Sequence, residues 1–134
     1  MRATYTLDSN LESVDKAEAA ARAIALQAGF RQQDSDHISL AVHEATANAV
    51  LHGNQCDLRK HVAVRFEAAP EIFTVSVRDE GEGLDTGTLP DPLAPRNLLK
   101  ESGRGIFLIR SFMDEVRFRN LNPGTEITMI KHLR

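Results

Sequence analysis

The chain has 134 residues, 16 Lys+Arg against 19 Asp+Glu, a net charge of −3 and one cysteine, Cys56. That length fits one ordinary domain, expected over residues 1–134, with enough surface to bury a core without staples. The single cysteine excludes an internal disulfide framework and a multi-cysteine zinc site, and the slight acidity weighs against binding nucleic acid through bulk charge. No apolar stretch reaches the roughly 18 residues a membrane span needs, and the start MRATYTLDSN lacks the apolar core of a signal peptide. The expectation is a soluble cytoplasmic protein, engaged with neither membrane nor nucleic acid.

In chain order, Thr4–Leu7 is a short strand. Ser9 and Glu12 have the spacing of a capping box, and Leu11, Val14, Ala17, Ala21, Ala25 and Ala28 recur at helical spacing up to Gly29, a residue suited to a left-handed helix end. Asp34-Ser35-Asp36 offers a second N-cap for a helix running to about His52, with Gly53-Asn54 as its stop. The period then changes to two. Val62, Val64 and Phe66, then Phe73, Val75 and Val77, form a hairpin about Ala69-Pro70-Glu71. A stretch from Asp79 to Ser102 has no clear periodicity, which in a compact domain marks a functional or mobile segment. A helix from Arg104 and two closing strands, 116–119 and 126–132, complete the order β-α-α-β-β-loop-α-β-β. The fold class this implies is α+β: a two-layer sandwich of helices on one face of a mixed, mostly antiparallel sheet.

Three segments carry candidate chemistry. In the second helix Glu44, Asn48 and His52 repeat every four residues and share a stripe, beside an apolar stripe of Ile38, Ala41, Val42, Ala45 and Ala49. A carboxylate and an amide oxygen at the edge of a core suit a hard cation, or a base beside one. Taken alone the stripe also reads as a solvated helix face. Next, Asp79-Glu80-Gly81-Glu82-Gly83 ends a strand. Its glycines allow close approach of main chain to a ligand, and the carboxylate ahead of them accepts only, which suits an exocyclic amine. A plain acidic turn is the alternative. Finally, Gly103-Arg104-Gly105 opens a helix, where exposed N–H groups and a guanidinium suit an anion, or where the glycines form only a tight turn. His43 and His52 lie nine residues apart, about half a revolution around a helix, so they do not share a metal ion.

The order of these segments resembles the GHKL superfamily of ATP-binding domains, which includes gyrase, the heat-shock chaperone, histidine kinases and MutL. Within it the chain is most similar to anti-sigma-factor serine kinases of the RsbW/SpoIIAB type. Glu44-x-x-x-Asn48-Ala49-x-x-His52-Gly53 looks like the N-box, Asp79-x-Gly81-x-Gly83 the first glycine box, Gly103-Arg104-Gly105 the second, and Gly124-Thr125 the pair that supports adenine recognition. The resemblance implies the Bergerat ATP-binding fold, ATP and Mg2+ as ligands, and a lid over about 84–102. It implies that Glu44 is the general base, Asn48 the magnesium ligand, and Asp79 the acceptor from adenine with Thr125 in support. Gly81 and Gly83 would border the nucleotide, and Gly103, Arg104 and Gly105 its phosphates. Arg104 stands where many relatives have an apolar residue.

With no histidine-kinase dimerisation helix and no room for a transducer domain, the expectation is a free-standing serine/threonine-protein kinase. It would act as an anti-sigma factor on a STAS-domain anti-anti-sigma protein, bind a sigma factor as a further partner, and form a homodimer. A non-catalytic module that sequesters a partner in a nucleotide-dependent way is the alternative, with a simple ATPase as a third reading.

Overall fold

The computed structural model describes residues 1–81, 101–121 and 123–133, with the backbone alone for 101–104. They form β1 (Arg2–Asp8), α1 (Leu11–Ala28), α2 (Gln32–Asn48), a π-helical turn (Ala49–Gly53), β2 (His61–Ala68), β3 (Ile72–Arg78), α3 (Glu101–Phe112), β4 (Glu115–Asn120) and β5 (Thr125–His132). The order of elements is the one expected. Gly83 and residues 84–100 of the expected lid lie outside the described residues.

The helix starts differ from their sequence reading. Asn10, not Ser9, caps α1, with its Oδ1 accepting from Ser13 N at 2.9 Å. Ser9 is turned away, and its hydroxyl donates to Lys60 O at 2.6 Å. Helix α2 starts at Gln32, ahead of the expected Asp34-Ser35-Asp36 cap, and Arg31 precedes it without a side-chain cap. Asp34 instead lies in the first turn, where its charge suits the helix dipole, and Asp36 takes Arg22 Nε at 3.0 Å. Gly29 does close α1 in the left-handed region, at φ 107°. Helix α3 opens three residues before the expected Arg104.

The five strands lie in the order β1-β2-β3-β5-β4, and every pairing among the described residues is antiparallel. Alternation sorts the two faces. Val62, Val64, Phe66, Phe73, Val75, Val77, Ile127 and Met129 are buried, whereas the residues between them are partly or fully exposed. The helices cover that apolar face, and α1 packs mainly against α2, with Ala17, Ala21 and Ala25 buried and presenting almost no side chain. Phe30, just past α1, meets the ring of Phe73 edge-on at 5.7 Å.

Phe66 is fully buried, with the Tyr5 ring 5.8 Å away and the Phe73 ring 6.4 Å away. Phe66→Ala removes the centre of this cluster, and the expected loss is about 3–5 kcal/mol of stability. It is measured as a lower urea midpoint with an unchanged slope.

Candidate functional site

The alternation that buries Phe73, Val75 and Val77 continues one step past the end of β3 and turns Asp79 toward the core side. Asp79 is only 7% exposed. A buried carboxylate needs hydrogen bonds, and the strand order supplies them. Because β5 lies beside β3, Asp79 N donates to Thr125 O at 3.0 Å and Thr125 N donates to Asp79 Oδ1 at 3.1 Å. Gly81 N donates to the same Oδ1 at 3.0 Å. Oδ2 has no hydrogen-bond partner among the described residues. Burial raises the Asp79 pKa above its ordinary 3.8, opposed by the two main-chain N–H groups.

Three glycines pack closely around Asp79. A Cβ on Gly53 would collide with Asp79 Oδ2, one on Gly81 with Gly53 O, and one on Gly124 with Asp79 O. Gly124 is also at φ +102°, a conformation that penalises other residues. Gly53 reaches this position through the π-helical turn that follows Asn48. There Asn54 N donates to Ala49 O at 2.8 Å, one residue further than an α-helical bond. The α-helix therefore ends at Asn48, short of the expected His52, and His52 is exposed.

The other end of the site lies between helices. Glu44 and Asn48 are half-buried, one turn apart on α2, beside the fully buried Ile38, Ala41, Val42 and Ala45. Gly105 of α3 faces them both. A Cβ there would stand 3.1 Å from Glu44 Oε2 and 3.5 Å from Asn48 Nδ2. Neither polar side chain has a hydrogen-bond partner among the described residues. Gly103 and Arg104 lie in the first turn of α3 and Gly105 in the second, so the visible contribution of Gly105 is close approach. The side chain of Arg104 lies outside the described residues.

The fold thus gathers Asp79, Gly81, Gly53 and Thr125 at the end of the sheet and Glu44, Asn48 and Gly105 between α2 and α3. His43 is held elsewhere, with Nδ1 3.1 Å from Glu18 Oε2. Sequence reasoning passed over Asn54, which it took only for a helix stop. Asn54 is 1% exposed and bonded to three separate segments. The one available signal was its place between the N-box glycine and the hairpin.

Residues 7–131 match the histidine kinase-like ATPase domain family. The chain belongs to that family. It is 32% identical over 116 residues to serine-protein kinase RsbW of Bacillus subtilis, covering 82% of this chain and 72% of the relative. It is also 32% identical to the anti-sigma F factor of Clostridium perfringens, over 72% of this chain and 71% of that one. The fold matches the crystal structure of the RsbU and RsbW domains of a Mycobacterium tuberculosis protein, with a TM-score of 0.72 and 21% identity. That match takes in all of this chain and 33% of the longer one. A histidine kinase domain from Erythrobacter litoralis shares the fold at a TM-score of 0.57 and 18% identity, over 90% of this chain and 59% of that chain.

The raised pKa of Asp79 has a consequence for stability. The folded chain holds this proton to higher pH than the unfolded chain. Stability therefore falls as pH rises from 3.8 through the folded value, and the loss is constant above it. Asp79→Asn keeps an Oδ1 acceptor for Gly81 and Thr125 and removes the buried charge. Thermal melts are expected to show a shallower decline from about pH 4 upward and a melting temperature at pH 7 equal to or above wild type.

Proposed function

We propose that the chain is an ATP-dependent protein serine/threonine kinase acting as an anti-sigma regulatory factor, with a serine of a STAS-domain anti-anti-sigma protein as phosphoryl acceptor. The observation that carries this reading is the Glu44–Asn48 pair, without partners among the described residues and both facing Gly105. The names of the relatives, serine-protein kinase RsbW and anti-sigma F factor, support it. The proposal extends to a sigma factor as second partner, a homodimeric assembly and a cytoplasmic place of action.

The residues present fit ATP and a hard divalent cation. Asn48 offers an amide oxygen of the kind such a cation prefers, with the Glu44 carboxylate as a base beside it, while Asp79 Oδ2, without a partner among the described residues, is an acceptor in a buried setting. Magnesium, held through Asn48 Oδ1, would offset the negative charge of the phosphates. Glu44 would accept the proton of the serine hydroxyl as that oxygen bonds to the γ-phosphorus of ATP and the bond from that phosphorus to its bridging oxygen breaks, with ADP as leaving group. Asp79 Oδ2 accepts from the adenine 6-amino group, and Thr125 holds the opposite oxygen through its main-chain N–H. Gly81 and Gly83 let the chain pass beside the nucleotide. Gly103 and Arg104 meet the phosphates at the positive end of α3, and Gly105 leaves room for the Glu44–Asn48 pair.

Transfer of labelled γ-phosphate to a purified STAS-domain protein tests the reading. Glu44→Gln is expected to bind ATP within a few-fold of wild type and to transfer about a hundredfold more slowly or worse. Transfer equal to wild type removes Glu44 from the chemistry. Asn48→Ala is expected to lose magnesium-dependent ATP binding in calorimetry. Partner binding that needs ATP but yields no phosphoprotein would support the sequestering module instead.

Gly105→Ala separates stability from activity. Alanine favours a helix interior by about 1 kcal/mol, but its methyl group crowds Glu44 Oε2 at 3.1 Å. The expected result is a melting temperature no lower than wild type together with reduced transfer.

A further inference from the structure

Asn54 directly follows the glycine against which Asp79 packs. Its buried carboxamide joins three parts of the chain. Nδ2 donates to Ser9 Oγ at 2.9 Å and to His61 O at 3.0 Å, and Oδ1 accepts from Glu80 N at 2.7 Å. Ser9, 1% exposed, donates its own proton to Lys60 O, so its oxygen is set to receive Asn54. The orientation of the amide follows from these partners: two acceptors face the nitrogen and one N–H faces the oxygen. Glu80 is held from its other end as well, because its Oε1 accepts from His61 N at 2.6 Å.

Glu80 lies between the two residues that matter most at the sheet end of the site, Asp79 and Gly81. A main-chain N–H clamped at 2.7 Å leaves the peptide planes on either side little freedom. Gly81 N in turn fixes Asp79 Oδ1. With Oδ1 held, the direction of Oδ2 is set. A buried, fully satisfied carboxamide tied to residues distant in sequence is a rigid support of the kind that aims a neighbouring group.

We infer that Asn54, anchored by Ser9, is a positioning residue for base recognition, holding the chain at Glu80 so that Asp79 Oδ2 is aimed at the 6-amino group of an adenine nucleotide. The inference rests on the proposed role of Asp79 as adenine acceptor.

A comparison of ATP with ITP, each with magnesium, tests it by calorimetry on the full chain. ITP has a 6-oxo group and cannot donate to Asp79. Wild type is expected to prefer ATP by about tenfold or more, the worth of a hydrogen bond to a charged acceptor. In Asn54→Ala the preference is expected to shrink to about threefold or less, while affinity for ITP stays within about threefold of wild type. A purely structural role would lower both affinities by the same factor, and that result overturns the inference. Should Asn54→Ala not fold, Ser9→Ala decides: a reduced ATP preference supports the inference, and an undiminished one overturns it. The outcomes also separate the two claims. A wild type indifferent to the base overturns the reading of Asp79 and this inference with it, whereas selective wild type alongside equally selective variants overturns only the role of Asn54.

Discussion

A carboxylate placed under helices, with one oxygen tied down and the other without a hydrogen-bond partner among the described residues, is the constraint on which this fold turns. Desolvating Asp79 is unfavourable unless donors meet it, and both donors among the described residues are main-chain groups, from Gly81 and Thr125. Main-chain donors can be supplied only by geometry. They require β5 beside β3, because that neighbour brings Thr125 level with the end of the strand. They also require glycine at 53, 81 and 124, because any side chain there would occupy space already taken. The acid thereby calls for this strand order and for glycine at 53, while the main chain packed around it calls for glycine at 81 and 124.

The helical layer obeys a different rule. Its apolar positions are small, so α1 and α2 settle close together over the sheet and leave the polar edge of α2 facing α3. Glu44 and Asn48 are held by their helix and have no hydrogen-bond partner among the described residues, which leaves their oxygens available there. The two ends of the site are thus stabilised in opposite ways. The acid on the sheet is locked by hydrogen bonds, and the pair on the helix, among the described residues, is placed by packing.

Much of this was legible in the residue pattern. The alternation of Val62 to Phe66 and of Phe73 to Val77 gave both strands and their inward faces, and the register carries that alternation into Asp79. The apolar stripe of α2 and the glycines of the boxes located the right segments. Caps were less legible, since Ser9, Asn10, Asp34 and Asp36 all have the chemistry of a cap and only tertiary partners decide among them. Ser9 was drawn off by Lys60 and Asn54, and Asp36 by Arg22. The π-helical turn and the part played by Asn54 left no trace in periodicity, because both depend on what stands across from them in space.

That turn also bears on how such a chain can change in length. Between Asn48 and Asn54 the helix is wound one residue slack, and the slack delivers Gly53 to Asp79. Deleting any one residue from 49–52 would restore a regular α-helical count, yet it would rotate the following glycine by about 100° around the axis. Point changes at the exposed His52 are easily absorbed there, whereas a single-codon deletion anywhere in the four positions before Gly53 is not.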